Sequence, residues 1–373
     1  MNFYLALFFL ITVNFFGCYS NKPKGNFCSQ DLIYETNTNT AGENAIKESA
    51  KYSINLYLGQ DNQAVLASVD TATENLIIDA KDFAGTNTTK DSFVYNSGSS
   101  LSLASISRDE VDMVCGVNIR TNMLISASEY SVPNTLGLGF GNKKNNKSFF
   151  GQLVKDYNYP DMFSLALCGF KGRSNIILGG YDHKVDVRTI IPIIEKSSFV
   201  MPAVKILLAD SKRSLGNFPK YDPLTKTGIK TILDSASAFL LLPVDMAERV
   251  VNEITTKASD IGIIDAFPSN FFSTQRGSTT KTIRFANEEQ IRQFPKFEIE
   301  FLSIDGQKKY LELSPEYYFK AMDKEDPLVR TFAIRHTQSE VVLGQPFMEN
   351  HYMLFDRQKG LVSFGDIDQA CKR

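Results

Sequence analysis

The chain has 373 residues, of which 43% are hydrophobic and 22% are charged, and this composition excludes a disordered protein. Its formal net charge is -2, so it has no overall basic field that would attract nucleic acid, and no nucleic-acid partner is expected. The length is sufficient for two lobes that each bury a core.

The N-terminus has the pattern of a secretory signal peptide. An apolar stretch from Phe3 to Phe16 is followed by small residues and is short for a membrane span. We predict a signal peptide over residues 1–20, and a mature protein that is soluble and secreted or held within the secretory and endolysosomal route. Cleavage after Ser20 would remove Cys18 and leave four cysteines that allow three pairings: Cys28, Cys115, Cys168 and Cys371. An exported compartment favours disulfide formation.

The segments that follow are mostly strand-like. Stretches such as "YSINLYLG", "NLIID", "FSLALCGF" and "FEIEFLS" are short, rich in β-branched and aromatic residues, and bounded by turn formers. Two segments have helical periodicity instead, and their repeating apolar positions are Phe149, Leu153 and Val154 in the first and Met246, Val250, Val251 and Ile254 in the second. The sequence therefore predicts a mainly β protein with a few short helices.

Other motifs along the chain are sparse. Asn87 and Asn146 begin N-glycosylation tripeptides in polar loops. The three histidines, His183, His336 and His351, and the cysteines do not have the spacing of metal ligands. We therefore expect neither a metal nor a cofactor.

One pattern occurs twice. Asp70 lies in "VDTATENL" and Asp234 in "LDSASAFL", and both stretches read apolar, Asp, hydroxyl, Ala, hydroxyl. Each is followed later by an apolar run that ends in glycine, "NTLG" with Gly137 and "VVLG" with Gly344. The two aspartates are about one domain's length apart, which predicts two similar lobes that each supply one Asp.

A lone Asp in a strand usually forms a salt bridge or a turn, but a repeated Asp permits other chemistry. Two carboxyl groups brought together cannot both ionise readily, so they share a proton and their pKa values separate. One carboxylate can then take a proton from water while the other carboxyl donates a proton to a carbonyl oxygen. The sequence thus indicates general acid–base hydrolysis of a peptide bond.

The residues that follow each Asp are suited to supporting such a pair. We expect the hydroxyls of Thr71 and Ser235 to tie the two loops to each other's backbone, and those of Thr73 and Ser237 to bond the outer carboxylate oxygens. The intervening residues, Ala72 and Ala236, each offer a backbone N–H to the pair.

At this point the sequence from about Tyr52 onward resembles the pepsin-like aspartic proteases. The segment "SFVYNSGSS" resembles their flap hairpin, with Tyr95 as the flap tyrosine and Gly98 in the turn. The run "SFFGQLVKDYNYPDMFSLALCGF" is similar to the memapsin, or beta-secretase, branch. The resemblance implies a bilobal fold with a deep cleft, an N-terminal lobe over 21–195 and a C-terminal lobe over 196–373.

The resemblance also implies partners and disulfides. A peptide or protein substrate would lie between the lobes of a monomer. Because the chain ends lie near each other in this fold, we expect Cys28 to pair with Cys371, and Cys115 to pair with Cys168 within the N-terminal lobe.

The sequence departs from the family at the third position of both Asp loops, where Ala72 and Ala236 replace glycine. A methyl group there would cost about 1–2 kcal/mol if the backbone needed a positive φ. There is also no tryptophan, and Ile77 stands where the family has the indole partner of the flap tyrosine. Two functions remain: a secreted aspartic endopeptidase, which we favour because both Asp residues, both following hydroxyls and Tyr95 are retained, or an inactive relative that binds a protein or glycan.

Overall fold

The computed structural model describes residues 27–36, 50–83, 88–97, 100–126, 133–140, 148–196, 198–275 and 281–372. The predicted signal peptide, Gly98 and the predicted glycosylation sites at Asn87 and Asn146 lie outside these residues. Strands predominate in the described part of the chain, so the predicted mainly β class is confirmed.

The described residues form 26 strands and six α-helices. The strands before residue 195 are β1 (Cys28–Thr36), β2 (Ala50–Leu58), β3 (Gln63–Asp70), β4 (Leu76–Asp79), β5 (Thr88–Ser97), β6 (Ser100–Met113), β7 (Asn118–Ser126), β8 (Thr135–Gly137), β9 (Met162–Ala166), β10 (Ser174–Leu178) and β11 (Val187–Pro192). Those after residue 200 are β12 (Ala203–Leu208), β13 (Ser214–Asn217), β14 (Tyr221–Asp222), β15 (Thr227–Gly228), β16 (Thr231–Leu233), β17 (Leu240–Pro243), β18 (Thr282–Arg284), β19 (Phe297–Leu302), β20 (Lys308–Leu313), β21 (Phe319–Ala321), β22 (Val329–Phe332), β23 (Ile334–Thr337), β24 (Val341–Leu343), β25 (His351–Asp356) and β26 (Leu361–Asp366). The helices are α1 (Phe149–Tyr157), α2 (Val244–Asp260), α3 (Glu288–Arg292), α4 (Pro315–Tyr318), α5 (Gln345–Met348) and α6 (Ile367–Cys371), with 3-10 turns at Ala80–Asp82 and Ile264–Ala266.

Both helices predicted from periodicity are present. Helix α1 begins after Ser148, whose hydroxyl accepts a hydrogen bond from the Gly151 N–H at 3.0 Å, and it buries Phe149 and Leu153. Helix α2 buries Met246, Ala247, Val250, Ile254 and Ala258 along one face. In both helices the apolar stripe packs on the sheets, as the spacing predicts.

The sequence repeat is also a repeat of topology. In the first half, four neighbouring strands have the order β3-β8-β4-β7, and in the second half the order is β16-β24-β17-β23. In each set the strand that leads to the Asp pairs in parallel with the strand of the apolar-glycine run, so Asp70 lies opposite Gly137 and Leu233 lies opposite Leu343. The two loops are therefore built in the same way.

Strands from the two ends of the chain join the halves. The order β11-β26-β25-β9-β10-β1 forms one side of a 13-stranded sheet, and it interleaves early strands with the last two. For example, Leu165 in β9 pairs with Met353 in β25. The described architecture agrees with the predicted bilobal fold, while the boundary between residues 195 and 196 stays a prediction.

The disulfide pairing that we expected is wrong. Cys28 bonds to Cys115, and Cys168 bonds to Cys371. The first pair forms because β2 pairs both with β1, which starts at Cys28, and with the end of β6, which precedes Cys115. The second forms because helix α6 packs against the loop that follows β9. The contact there is so close that a Cβ atom on Gly172 would lie 2.1 Å from the carbonyl oxygen of Cys371.

The bond between Cys168 and Cys371 joins residues 203 apart, so replacing Cys168 by Ser should lower the free energy of unfolding by about 2–5 kcal/mol. Urea unfolding of the variant and the parent measures this loss. Peptide mapping without reductant supplies the control. Recovery of a peptide that joins Cys115 to Cys168 would contradict the assigned pairing.

Candidate functional site

The two repeated loops contact each other through their hydroxyl residues. The Thr71 hydroxyl donates to the carbonyl of Leu233 at 2.9 Å, and the Ser235 hydroxyl donates to the carbonyl of Val69 at 2.7 Å. Each hydroxyl also accepts the backbone N–H of the other residue at 3.1 Å. Thr71 and Ser235 are fully buried, so these four reciprocal bonds fix the separation of the loops.

Each Asp side chain is held by backbone N–H groups of its own loop. The Oδ1 atoms of Asp70 and Asp234 each accept two such bonds. The donors to Asp70 are Ala72 at 2.6 Å and Thr73 at 3.1 Å, and those to Asp234 are Ala236 at 2.9 Å and Ser237 at 3.2 Å. Both carboxyl groups are thus oriented in the same way by short loops that leave their other oxygen atoms for chemistry.

One expectation for these loops needs correction. We expected the side-chain hydroxyls of Thr73 and Ser237 to bond the carboxylates. Both residues instead reach Oδ1 through their backbone N–H groups, and the Ser237 hydroxyl donates to the carbonyl of Phe239 at 3.0 Å. The tight turn after each Asp places these backbone N–H groups, rather than the side-chain hydroxyls, within hydrogen-bond distance of Oδ1.

The alanines in the glycine positions fit the loops without unusual backbone geometry. Six described residues other than glycine have a positive φ, and neither Ala72 nor Ala236 is among them. Neither alanine therefore carries the energetic cost of a left-handed backbone conformation. The methyl group of Ala72 packs on a small apolar cluster that contains Val200, Tyr221 and Ile232. Both alanines keep the N–H that their carboxylate needs.

The glycines of the apolar runs, in contrast, are required by close approach. A Cβ atom on Gly137 would lie 2.5 Å from the carbonyl oxygen of Asn75, and one on Gly344 would lie 2.1 Å from that of Phe239. Both partners are backbone atoms of the loops just past the Asp residues, so side-chain rotation cannot make room. These glycines let the apolar runs press the loops into place.

The carboxyl pair resists ionisation. Removal from water, the largest cause, and the neighbouring Asp234 carboxyl raise the pKa of Asp70 to about 7, although its two N–H bonds favour the charged form. Removal from water also raises the pKa of Asp234, against its own two N–H bonds. Exposed Glu340 adds to the rise in the Asp234 pKa. A pair of this kind holds one proton over a wide pH range.

Replacing Asp70 by Asn should raise the free energy of unfolding at pH 7 by on the order of 2 kcal/mol. A carboxyl whose pKa rises on folding stabilises the fold fully below its unfolded pKa of about 4. That contribution is lost as the pH rises through the folded value of about 7. Asn does not titrate, so the variant's gain in free energy of unfolding should disappear in acid, where the Asp70 carboxyl is also uncharged. Urea unfolding at about pH 3 and pH 7 tests this, and an equal gain at both would contradict the raised pKa.

Tyr95, the predicted flap tyrosine, lies in β5, which pairs with β6. The backbone of Tyr95 pairs with that of Ser102, and Gly98 falls outside the described residues. Ile77, at the position of the missing indole, is buried beside Leu124 and Ile106. Apolar side chains therefore occupy that part of the lobe.

Gln345 lies outside the motifs that the sequence pattern identified, yet it contacts the second Asp loop. Its backbone N–H donates to the carbonyl of Ser237 at 2.8 Å, and its side-chain amide donates to the carbonyl of Ser235 at 3.0 Å. The signal was its position directly after Gly344, where a buried polar residue interrupts an apolar run.

Comparison with known proteins agrees with this geometry. A family model described as eukaryotic aspartyl protease matches residues 51–367. A beta-secretase of Strongylocentrotus purpuratus is 25% identical over 256 residues, which are 61% of this chain and 46% of that protein. The chain thus spans about half the length of this curated relative.

Proposed function

This chain belongs to the eukaryotic aspartyl protease family, and from that membership we propose that it is an endopeptidase with Asp70 and Asp234 as its catalytic pair. The observation that carries the proposal is the symmetric construction of the site. Two buried hydroxyls bind the loops to each other, and each carboxyl group accepts two N–H bonds. The resulting pair is poised to hold one proton.

In the proposed reaction, the ionised carboxyl accepts a proton from a water molecule as the water oxygen bonds to the peptide carbonyl carbon. The protonated carboxyl donates its proton to the carbonyl oxygen. Collapse of the resulting tetrahedral diol breaks the C–N bond. The carboxyl that took the water proton gives it to the departing nitrogen, and the other carboxylate accepts a proton from a diol hydroxyl. No covalent bond to the protein forms in this sequence, and the carboxyl pair ends with one proton, as it began.

The proposed substrate is an extended peptide that lies between the lobes beneath the β5–β6 hairpin, with apolar side chains around the bond that is cut. The half-buried apolar side chain of Phe239, beside the second Asp loop, supports this preference.

We also propose that the protein enters the secretory route. Its two disulfides support this, because such bonds persist in oxidising compartments. Within the described residues, the helices are too short or too polar to cross a bilayer.

A second candidate, an inactive relative that binds a protein or glycan, is favoured by the alanines at positions 72 and 236. Affinity for a peptide that contains statine separates the two functions, because its hydroxyl mimics the tetrahedral intermediate. An enzyme should bind it at least 100-fold more tightly than the Asp234→Asn variant does. Equal affinity for both proteins, or none for either, would favour the binding protein.

A further inference from the structure

Gln345 is hydrogen-bonded to the second Asp loop, which carries Asp234. It is the first residue of α5, and its side chain is fully buried. Its two donated bonds reach the carbonyls of Ser235 and Ser237, so they grip the loop on either side of Ala236.

The side-chain bond acts on a particular peptide group. The carbonyl of Ser235 and the N–H of Ala236 belong to the same peptide unit, and that N–H donates to Oδ1 of Asp234 at 2.9 Å. A donor at the carbonyl end of a peptide polarises the unit and strengthens its N–H as a donor. A single peptide group therefore links the Gln345 amide to the Asp234 carboxylate through two hydrogen bonds.

A buried ion pair fixes the direction of the Gln345 amide. The Lys320 ammonium donates to its Oε1 and also to Oε1 of Glu349 at 2.7 Å. Lys320 and Glu349 are only 3% and 6% exposed, so the pair is shielded from water. A cation at Oε1 excludes the flipped amide, and the NH₂ group must face Ser235.

Two tyrosines, Tyr52 and Tyr34, also lie against the ion pair. The Tyr52 hydroxyl donates to Oε1 of Glu349 at 2.7 Å and accepts the Gly169 N–H at 2.8 Å. The Tyr34 ring lies 5.3 Å from the Lys320 ammonium. Arg330 in β22 and Tyr317 in α4 also interact electrostatically with Glu349.

At the matching position of the first Asp loop, the side chain is apolar. Leu138 follows Gly137 where Gln345 follows Gly344, and it offers only its backbone N–H, which donates to the carbonyl of Asp70 at 2.8 Å. The polar chain from a buried cation therefore reaches one carboxyl of the pair and makes the site asymmetric.

We propose that Gln345 is a positioning residue for Asp234, kept in its working orientation by the ion pair of Lys320 and Glu349. The proposal rests on the proposed use of Asp234 in catalysis. Gln345 places the Ala236 N–H and strengthens it, and thereby favours the ionised form of Asp234 within the pair.

The test compares Gln345→Met with a matched control, Gln30→Met. Gln30 is also a buried amide, and it donates to a backbone carbonyl, that of Asn55, at 3.1 Å in the first lobe. Methionine keeps the length of the side chain and removes the donor in both. Gln345→Leu is the second variant should Gln345→Met not fold.

The first readout is the pH dependence of stability, which needs no activity. In acid, both carboxyls are protonated, and the loss in unfolding midpoint reflects packing and the lost hydrogen bonds to Ser235 and Lys320. As the pH rises and Asp234 ionises, the Gln345→Met loss should grow by roughly 2 °C, while the Gln30→Met loss stays constant. Glu349 also faces this network, so the comparison is repeated with Asp234→Asn, in which the growth should vanish.

The second readout is the pH profile of kcat/KM. Loss of the donor chain should move the acid limb up by about half a pH unit and lower the maximum about tenfold, and Gln30→Met should do neither. A stability loss that is independent of pH, or that still grows in the Asp234→Asn background, would overturn the inference. A parent protein without turnover would overturn the proposed function alone, because the stability comparison still decides the role of Gln345.

Discussion

Replacing Asp234 by Asn should lower kcat/KM for a denatured protein substrate by about 10³-fold or more. The amide can neither accept the proton of the attacking water nor share one with Asp70. The four hydrogen bonds that join the loops through Thr71 and Ser235 do not involve the Asp234 carboxyl, so the variant should fold. The measurement is cleavage by purified mature protein from about pH 3 to pH 7, with folding confirmed by circular dichroism.

The pH profile of the parent protein should be bell-shaped. Activity falls in acid because both carboxyls are protonated and no base remains. It falls again as the pH approaches the raised pKa of about 7 at Asp70, because the proton needed for the carbonyl oxygen is lost. Asp305→Asn, in an exposed turn, is the matched control and should leave the profile unchanged. Equal cleavage by the parent and Asp234→Asn would rule out the proposed pair.

Replacing Gly344 by Ala should lower the free energy of unfolding by about 3 kcal/mol and kcat/KM by about 100-fold. The new methyl group would lie 2.1 Å from the Phe239 carbonyl oxygen and 2.6 Å from that of Ser237. Relief requires the backbone of the Asp234 loop to move, and that displaces the carboxyl group. Urea unfolding and steady-state kinetics of one preparation measure both effects.

Gly180→Ala is the matched control for this substitution. A Cβ atom there would lie 3.2 Å from Cβ of the half-exposed Phe27, a contact that a shift of a few tenths of an ångström relieves. Its effect on stability should be below about 1 kcal/mol, with no effect on kcat/KM. If the Gly344→Ala variant were as active as Gly180→Ala, the predicted displacement of the Asp234 loop would be wrong.

Local patterns in the sequence were sufficient for several parts of this protein. The apolar periodicity at Phe149 and Met246 predicted two helices, since a stripe of that spacing must face a core. The repeat around Asp70 and Asp234 predicted two loops of the same construction, because similar short sequences beside strands form similar turns. The same motifs led to the family.

Contacts between distant segments were decided only by the tertiary structure. The pairing of Cys168 with Cys371 depends on where α6 packs. In the second Asp loop, the backbone N–H of Ser237 donates to Asp234, while the Ser237 hydroxyl donates to the carbonyl of Phe239. The approach of Lys320 to Gln345 likewise requires β21 and α5 to pack together. Sequence specifies local turns and periodic faces because their partners are a few residues away. Which buried polar groups satisfy one another depends on the packing of whole strands and helices, and no local pattern encodes it.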